Sequence, residues 1–316
     1  MHTLPSWRDG HARGALLRFV EEVTTPGEHF VQPTDRVAVF DNDGTLWPER
    51  PVPVQLHYLM ERWRDMAAAD PTLSRHEPYT SAASGDPAWL ASVMDAHYAG
   101  DDTRLPVLAE AVMATQRTMD TDSVAVMVRR FFDSSLHPLL GRPYKACAYQ
   151  PMRELLELLR SRGFTTVIAT GGGRDFIRVV ANEVYGVAPE QVIGSAPDLS
   201  WDAERRAVVY GNGIDVLDDG PEKPVRIWSR LGRRPVFACG NSNGDIEMLS
   251  HAAAAPHGMA VLVHHDDTDR DDPAYDVGAE RALAEASRQG WLTISVRADW
   301  ARLFLTPVDD PSHNRT

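Results

Sequence analysis

Residues 36–46 read Arg36-Val37-Ala38-Val39-Phe40-Asp41-Asn42-Asp43-Gly44-Thr45-Leu46. A short run of apolar, partly β-branched side chains, Val37 to Phe40, is the pattern of a parallel strand buried on both faces. It stops abruptly in polar residues. While the chain stays extended, Asp41 and Asp43 turn their carboxylates the same way, and Gly44 allows the sharp turn that follows. One carboxylate can then attack while its neighbour handles protons. The same residue types also build ordinary surface turns. A calcium loop needs a third ligand, a glycine and a closing glutamate, and Thr45, Leu46 and Val52 stand in those places.

Outward from this stretch, the later chain alternates. Strand patterns at 165–170, 192–195, 207–210, 214–217, 235–239, 259–263 and 291–296 are interleaved with helical ones at 151–162, 174–185, 224–231, 245–253 and 279–288. A further helix is expected over 12–23. Such alternation predicts an α/β fold with a doubly wound, Rossmann-like parallel sheet. Residues 48–148 have another character: amphipathic helical patterns, one carrying Leu56, Leu59, Met60, Trp63 and Met66 on one face, and little strand. The expected organisation is an α/β core formed by 1–47 and 149–316, with an all-helical cap of 48–148 inserted after the first strand. Ligands of such sheets bind beyond the carboxyl ends of the strands, here Asp41, Thr170 and Gly240. The tail from 308 is expected to fray.

Bulk properties narrow the function. The chain has 316 residues, 43% hydrophobic and 24% charged, with a formal charge of -13, which speaks against nucleic acid or an anionic membrane surface as partner. An anionic substrate would need local positive charge from a metal, a lysine or helix N-termini. The two cysteines, Cys147 and Cys239, indicate neither a disulfide framework nor a zinc cluster. No secretory pattern opens the sequence and no window is apolar for about 18 residues, so a cytoplasmic enzyme is expected.

The stretch Val39-Phe40-Asp41-Asn42-Asp43-Gly44-Thr45-Leu46 resembles the first signature of the haloacid dehalogenase superfamily. In that family the first aspartate attacks phosphorus and the second serves as general acid, then base. Thr170, ending the run Val167-Ile168-Ala169, resembles the second signature, whose hydroxyl and following amides (Gly171 and Gly172 here) hold phosphoryl oxygens. Lys223, ahead of a helical pattern, is similar to the third, a lysine that neutralises nucleophile and phosphoryl group. Gly240-Asn241-Ser242-Asn243-Gly244-Asp245 resembles the fourth, which supplies side-chain ligands for magnesium. The resemblance implies a Mg2+-dependent phosphatase acting on a small-molecule phosphate monoester through an aspartyl phosphate on Asp41. Its metal ligands would be Asp41, the Asp43 carbonyl, Asn241 and, directly or through water, Asp245. Many phosphatases of the family carry aspartate where Asn241 stands; an amide oxygen still binds Mg2+, with one negative charge fewer. The cap position and Thr170-Gly171-Gly172 make phosphoserine phosphatase the nearest named relative, leaving the substrate and the oligomeric state open.

Other readings compete. Gly240-Asn241-Ser242-Asn243-Gly244 also fits the nucleophile elbow of serine esterases, with His251, His257, His264 and His265 downstream. That reading leaves only about 70 residues for the rest of its fold and gives the Asp41–Asp43 pair no task. A catalytically inactive binding protein is the plainer alternative. Gly171-Gly172-Gly173 is expected to open a helix and offer amides to an anion. It is no dinucleotide fingerprint, because Phe176 holds the third glycine position. Trp47 and Arg174 are candidate substrate contacts. His264-His265-Asp266-Asp267 admits a metal reading beside that of a polar loop.

Overall fold

Val37–Phe40 forms strand β1, buried along its whole length. It sits at the centre of a seven-stranded sheet of order β4-β3-β2-β1-β5-β6-β7 in a computed structural model that describes residues 3–98 and 100–305. The other strands are β2 (Thr165–Gly173), β3 (Val192–Asp202), β4 (Ala207–Val216), β5 (Phe237–Gly240), β6 (Met259–His264) and β7 (Leu292–Ser295). All neighbours pair in parallel except β3 and β4. The tail from 308, expected to fray, lies outside the described residues.

Alternation along the central strands fills both faces. Val37, Val39, Val167 and Ala169 pack with Ile227 of helix α10 (Glu222–Leu231) and Met248 and Leu249 of α11 (Ile246–Ala253). Ala38, Phe40 and Ile168 meet Leu16 and Phe19 of α1 (His11–Thr24) and Leu155 of α7 (Gln150–Ser161). Because β1 lies between β2 and β5, which follow it in chain order on opposite sides, the sheet's topological switch falls at the end of β1, where a crevice forms.

Between β1 and α7 run α2 (Val54–Ala69), α3 (Tyr79–Ser84), α4 (Ala88–Tyr98), α5 (Leu105–Ala114) and α6 (Thr121–Ser134). Their core is continuous with that of the sheet. Tyr58 of α2 and Phe132 of α6 lie 5.4 and 5.0 Å from Phe176, ring centre to ring centre. Asp120 caps α6 by accepting from Ser123 N at 2.7 Å. Just before it the chain turns, with Thr118 at φ +61, and pairs with β4: Thr118 N donates to Tyr210 O and Tyr210 N to Met119 O, at 3.0 and 2.9 Å. Helix α5 therefore ends at Ala114, before this pairing. No described helix is long and apolar enough to cross a membrane.

Two other expectations change. Patterns at 207–210 and 214–217 are one strand, β4, antiparallel to β3 and interrupted by register shifts. Gly171-Gly172-Gly173 closes β2 and leads directly into helix α8 (Arg174–Arg178), with Gly173 as its N-cap; the helix expected to run on to 185 is split into α8 and α9 (Ala181–Tyr185). Thr170 pairs with Gly194 and Gly173 with Ser195, so Gly171 and Gly172 bulge out of the ladder. Such bulges bend a strand and re-aim its backbone next to active sites.

His57, on α2, hydrogen-bonds through Nδ1 to the Tyr144 hydroxyl at 2.5 Å beside His137, whose ring is 5.9 Å away. Burial, helped by His137, pushes His57 down from 6.5 to about 4. A base depressed in this way is protonated first in the unfolded chain, so stability present above pH 6.5 is lost as pH falls from 6.5 towards 4. The loss attributable to this side chain reaches about 3 kcal/mol. In chemical denaturation across that range, His57→Gln should flatten the fall in stability; a slope identical to wild type would rule out His57 as its source.

Candidate active site

Three strand ends converge. Asp41 extends β1, its N–H bonded to Cys239 O at 2.9 Å; Thr170 lies in β2, and Asn241 to Asp245 follow β5. Lys223, expected ahead of α10, lies in its first turn and is 2% exposed. Its Nζ donates to Asp41 Oδ1 at 2.8 Å and to Asp245 Oδ1 at 2.6 Å. Burial alone would lower the lysine's pKa, but Asp245 and Asp41 outweigh it and hold it well above the ordinary value. Asp41 is pushed up, first by burial and then by Asp245, against the pull of Lys223.

The Asp245 carboxylate is largely spent on its own loop. Its Oδ2 accepts from Asn241 N and Ser242 N, both at 3.0 Å, and from Ser242 Oγ at 3.1 Å. Ser242 Oγ is thus turned to Asp245 at the start of a short 3-10 turn, not to a histidine. Three downstream histidines are engaged elsewhere: His265 on Gly44 O, His264 on Asp276 and His257 on His29. Among the described residues no hydrogen bond sets Ser242 against a histidine, the arrangement a serine esterase needs.

Asp43 is held by Trp47, whose indole N–H donates to Oδ1 at 2.7 Å. Trp47 is 0% exposed, so the expected substrate contact is instead a support for Asp43. Burial raises Asp43 above the usual carboxylate range, opposed by the Trp47 bond. Gly44 takes φ +76, and a Cβ there would run into the Asn241 amide and lie 2.9 Å from Glu49 Oε1. Only glycine meets both demands. Asn241 is fixed from three sides: its Oδ1 accepts from Thr45 Oγ1 at 3.0 Å, and its Nδ2 donates to Glu49 Oε1 at 3.0 Å and to Tyr275 OH at 3.3 Å. Behind this layer His265, 3% exposed, binds Gly44 O through Nε2 at 2.7 Å and lies 3.3 Å from Asp272 through Nδ1. Burial pulls His265 down, but Asp272 and the Gly44 carbonyl outweigh it and raise it. The polar loop His264 to Asp267 therefore reaches the site as a support beneath the first loop.

On the opposite side, Gly172 N donates to Thr170 Oγ1 at 3.0 Å and Gly173 N to Gln55 Oε1 at 2.6 Å. A Cβ on Gly172 would lie 3.4 Å from Gln55 Oε1 and 3.5 Å from Asp43 Oδ2. Arg174 does not point its fork at this cradle. It clasps Asp175 through Nε and Nη2, at 2.9 and 3.0 Å.

Glu49, Gln55, Asp218 and Asp219 were not assigned site roles from sequence. Asp218 is 0% exposed, and burial, against Lys223, lifts it to about 7. Asp219 approaches both Gly171 and Gly244. Only adjacency hinted at these residues: Glu49 and Gln55 follow the first signature, and Asp218 and Asp219 precede Lys223. Asp41, Asp43, Asp218, Asp219 and Asp245 thus surround one lysine. Surplus negative charge and hard oxygen donors suit a magnesium ion, and Asn241 Oδ1 keeps one lone pair beyond its bond to Thr45. Asp245, with Oδ2 accepting three protein donors and Oδ1 accepting Lys223, fits such an ion through water better than directly.

A family model described as haloacid dehalogenase-like hydrolase matches residues 38–250. No curated protein matches. Among solved structures, the chain is similar to a conserved functionally unknown protein from Anaerococcus prevotii DSM 20548, at 13% identity over 96% of this chain and 98% of that one, with a TM-score of 0.58. It is also similar to a protein with unknown function from Bordetella pertussis Tohama I, at 16% identity over 82% of this chain and 97% of that one, with a TM-score of 0.51. With the matched region running from β1 through α11, the chain belongs to the haloacid dehalogenase-like hydrolases.

Proposed function

We propose that the protein is a Mg2+-dependent phosphatase that hydrolyses a small-molecule phosphate monoester through an aspartyl phosphate on Asp41. The observation that carries this reading is the buried set of Asp41, Lys223 and Asp245 at the ends of β1 and β5, with Asp43 and the Thr170 bulge beside it. Asp41, Asn241 and the Asp43 carbonyl would hold the metal, with Asp245 reaching it through water. Bound there, Mg2+ supplies charge neutralisation for the transferring phosphoryl group.

The protein's own groups then have distinct tasks. Lys223 offsets the repulsion between the Asp41 carboxylate and an incoming phosphate dianion. Thr170 and the bulged Gly171 and Gly172 backbone receive the phosphoryl oxygens, Gly172 N turning from Thr170 Oγ1 to the ligand. An Asp41 oxygen attacks phosphorus as the bond to the leaving oxygen breaks, and Asp43 gives that oxygen its proton. Asp43, held protonated more readily by burial, suits this acid step. The alcohol departs, and Asp43, now a carboxylate, takes a proton from water. The water oxygen attacks phosphorus and breaks the bond to Asp41, releasing phosphate. Helices α2–α6 act as a cap that keeps bulk water out.

Asp41→Asn should lower turnover of p-nitrophenyl phosphate at least about a thousandfold in a variant that still folds, and EDTA should silence the wild type until Mg2+ is restored. Turnover that survives either treatment would end the proposed mechanism. A second prediction concerns the neutral residue at 241. Its amide N–H faces Glu49, so an aspartate there would set two buried carboxylates against each other. Asn241→Asp should cost about 3 kcal/mol in the metal-free protein, and adding Glu49→Gln should recover most of it. Additive losses in that double-mutant cycle would separate the two residues.

A further inference from the structure

We infer that Ser195 is a positioning residue of this site: its hydroxyl locks the bulge that receives the phosphoryl group to the loop that carries Lys223. The inference rests on the phosphatase reading above and adds the link between two of its parts. Ser195 follows Gly194 in β3 and pairs with Gly173 across the bulge of β2. Its Oγ–H donates to Gly171 O at 2.7 Å, and the same oxygen accepts from Asp218 N at 3.0 Å. Gly171 stands next to Thr170 in the bulge. Asp218 opens the loop that winds into α10, where Glu222 N donates to Asp219 O and Lys223 N to Gly220 O, both at 3.1 Å. Gly220 N donates to Gly244 O, also at 3.1 Å, which fastens the same loop to the residue before Asp245.

A serine hydroxyl carries one proton and two lone pairs, so a single oxygen can donate to one segment and accept from another. No side chain on the bulge itself can do this, because residues 171–173 are all glycine, the residue least restrained by its own sterics. On the far side, the Asp218 carboxylate offers no hydrogen bond as an anchor. It is 0% exposed, and neither of its oxygens has a hydrogen-bond partner among the described residues. Backbone bonds therefore hold the loop, to Ser195 at one end and to Gly244 further on. Donors that stabilise a transferring phosphoryl group act best when their positions are fixed before it arrives. Without the hydroxyl, Gly171 O and Asp218 N lose their shared partner, and the bulge and the lysine loop are free to shift independently. Among the described residues Ser195 has no hydrogen bond to Asp41, Asp43 or Lys223, so it acts through the segments it joins.

Titration calorimetry of inorganic phosphate into the full-length protein with Mg2+, beside turnover of p-nitrophenyl phosphate, tests the inference. Ser195→Ala should bind phosphate at least about fivefold more weakly, as expected for the loss of a positioning bond. Its kcat/KM for the ester should fall at least about tenfold. Nitrophenolate departs without a proton, so this ester reports on the phosphoryl side of the site and not on the acid Asp43. Ser195→Thr, which keeps the hydroxyl, should stay within about twofold of wild type in both measurements. A Ser195→Ala variant that melts normally and keeps wild-type phosphate affinity overturns the inference, whether or not its turnover falls. Equal losses in the alanine and threonine variants overturn it too. Should Ser195→Ala fail to fold, Ser195→Cys, close in size but a weak donor, carries the same comparison. If wild type neither binds phosphate nor cleaves the ester, the phosphatase reading itself fails, and the inference with it; a wild type that does either keeps that reading whatever Ser195 does.

Discussion

A lysine ammonium shielded from water is costly unless carboxylates surround it, and Lys223 exists in this protein only because Asp41 and Asp245 accept from it. Those two residues stand at the ends of β1 and β5, and the lysine comes from α10, which packs across the other face of the same strands. The ion triplet therefore ties the first and last parts of the sheet's crevice together. It remains unbalanced: Asp43, Asp218 and Asp219 add negative charge that one ammonium does not answer. Burial raises the proton affinity of Asp41, Asp43 and Asp218 in consequence. The site's surplus of carboxylate oxygens favours a bound cation, which is the physical ground of the magnesium site proposed above.

What was legible in the sequence was what local pattern encodes. The run Val37 to Phe40 announces a buried parallel strand, and the polar residues after it announce the strand end where chemistry gathers. The order of four weak motifs was enough to single out Lys223, which no property of the residue itself distinguishes from a surface lysine. Where readings missed, the deciding contact was distant in sequence. Trp47 carries the composition of a lining residue, and only the position of Asp43 turns its indole inward. The β4 strand read as two pieces because Gly211-Asn212-Gly213 looks like a turn. In the fold Gly213 N instead donates to Asp198 Oδ1 at 2.8 Å, holding an irregular antiparallel ladder together. The sequence leaves His265 open between a metal ligand and a polar loop, and its support of the first loop was not legible because its partners Gly44 and Asp272 come from separate loops.

The neutral residue at 241 illustrates how a local departure is absorbed by its surroundings. The resemblance leads one to expect a carboxylate there, and the Asn241 amide alone would leave the site short of one charge. Glu49 stands directly behind it, accepting from Asn241 Nδ2 and receiving the Tyr275 hydroxyl as well. The carboxylate is present, one layer further out, and the bond to it turns Asn241 Oδ1 towards Thr45 and the crevice. Because Gly44 packs against both residues, the positive φ of the first loop and the amide orientation of the last depend on each other.

A polarity boundary runs through the single residue Gly172. On one side lie Asp43, Thr170 and the ion triplet; on the other lie Gln55 and a small cavity where amides, hydroxyls and aromatic rings stand beside Asp175. The bulge that pushes Gly171 and Gly172 out of β2 places backbone, with no side chain, at this boundary. Gly172 N bonds to Thr170 Oγ1 on one side and Gly173 N to Gln55 Oε1 on the other, so the amides of this bulge are divided between the two sides by the path of β2 itself.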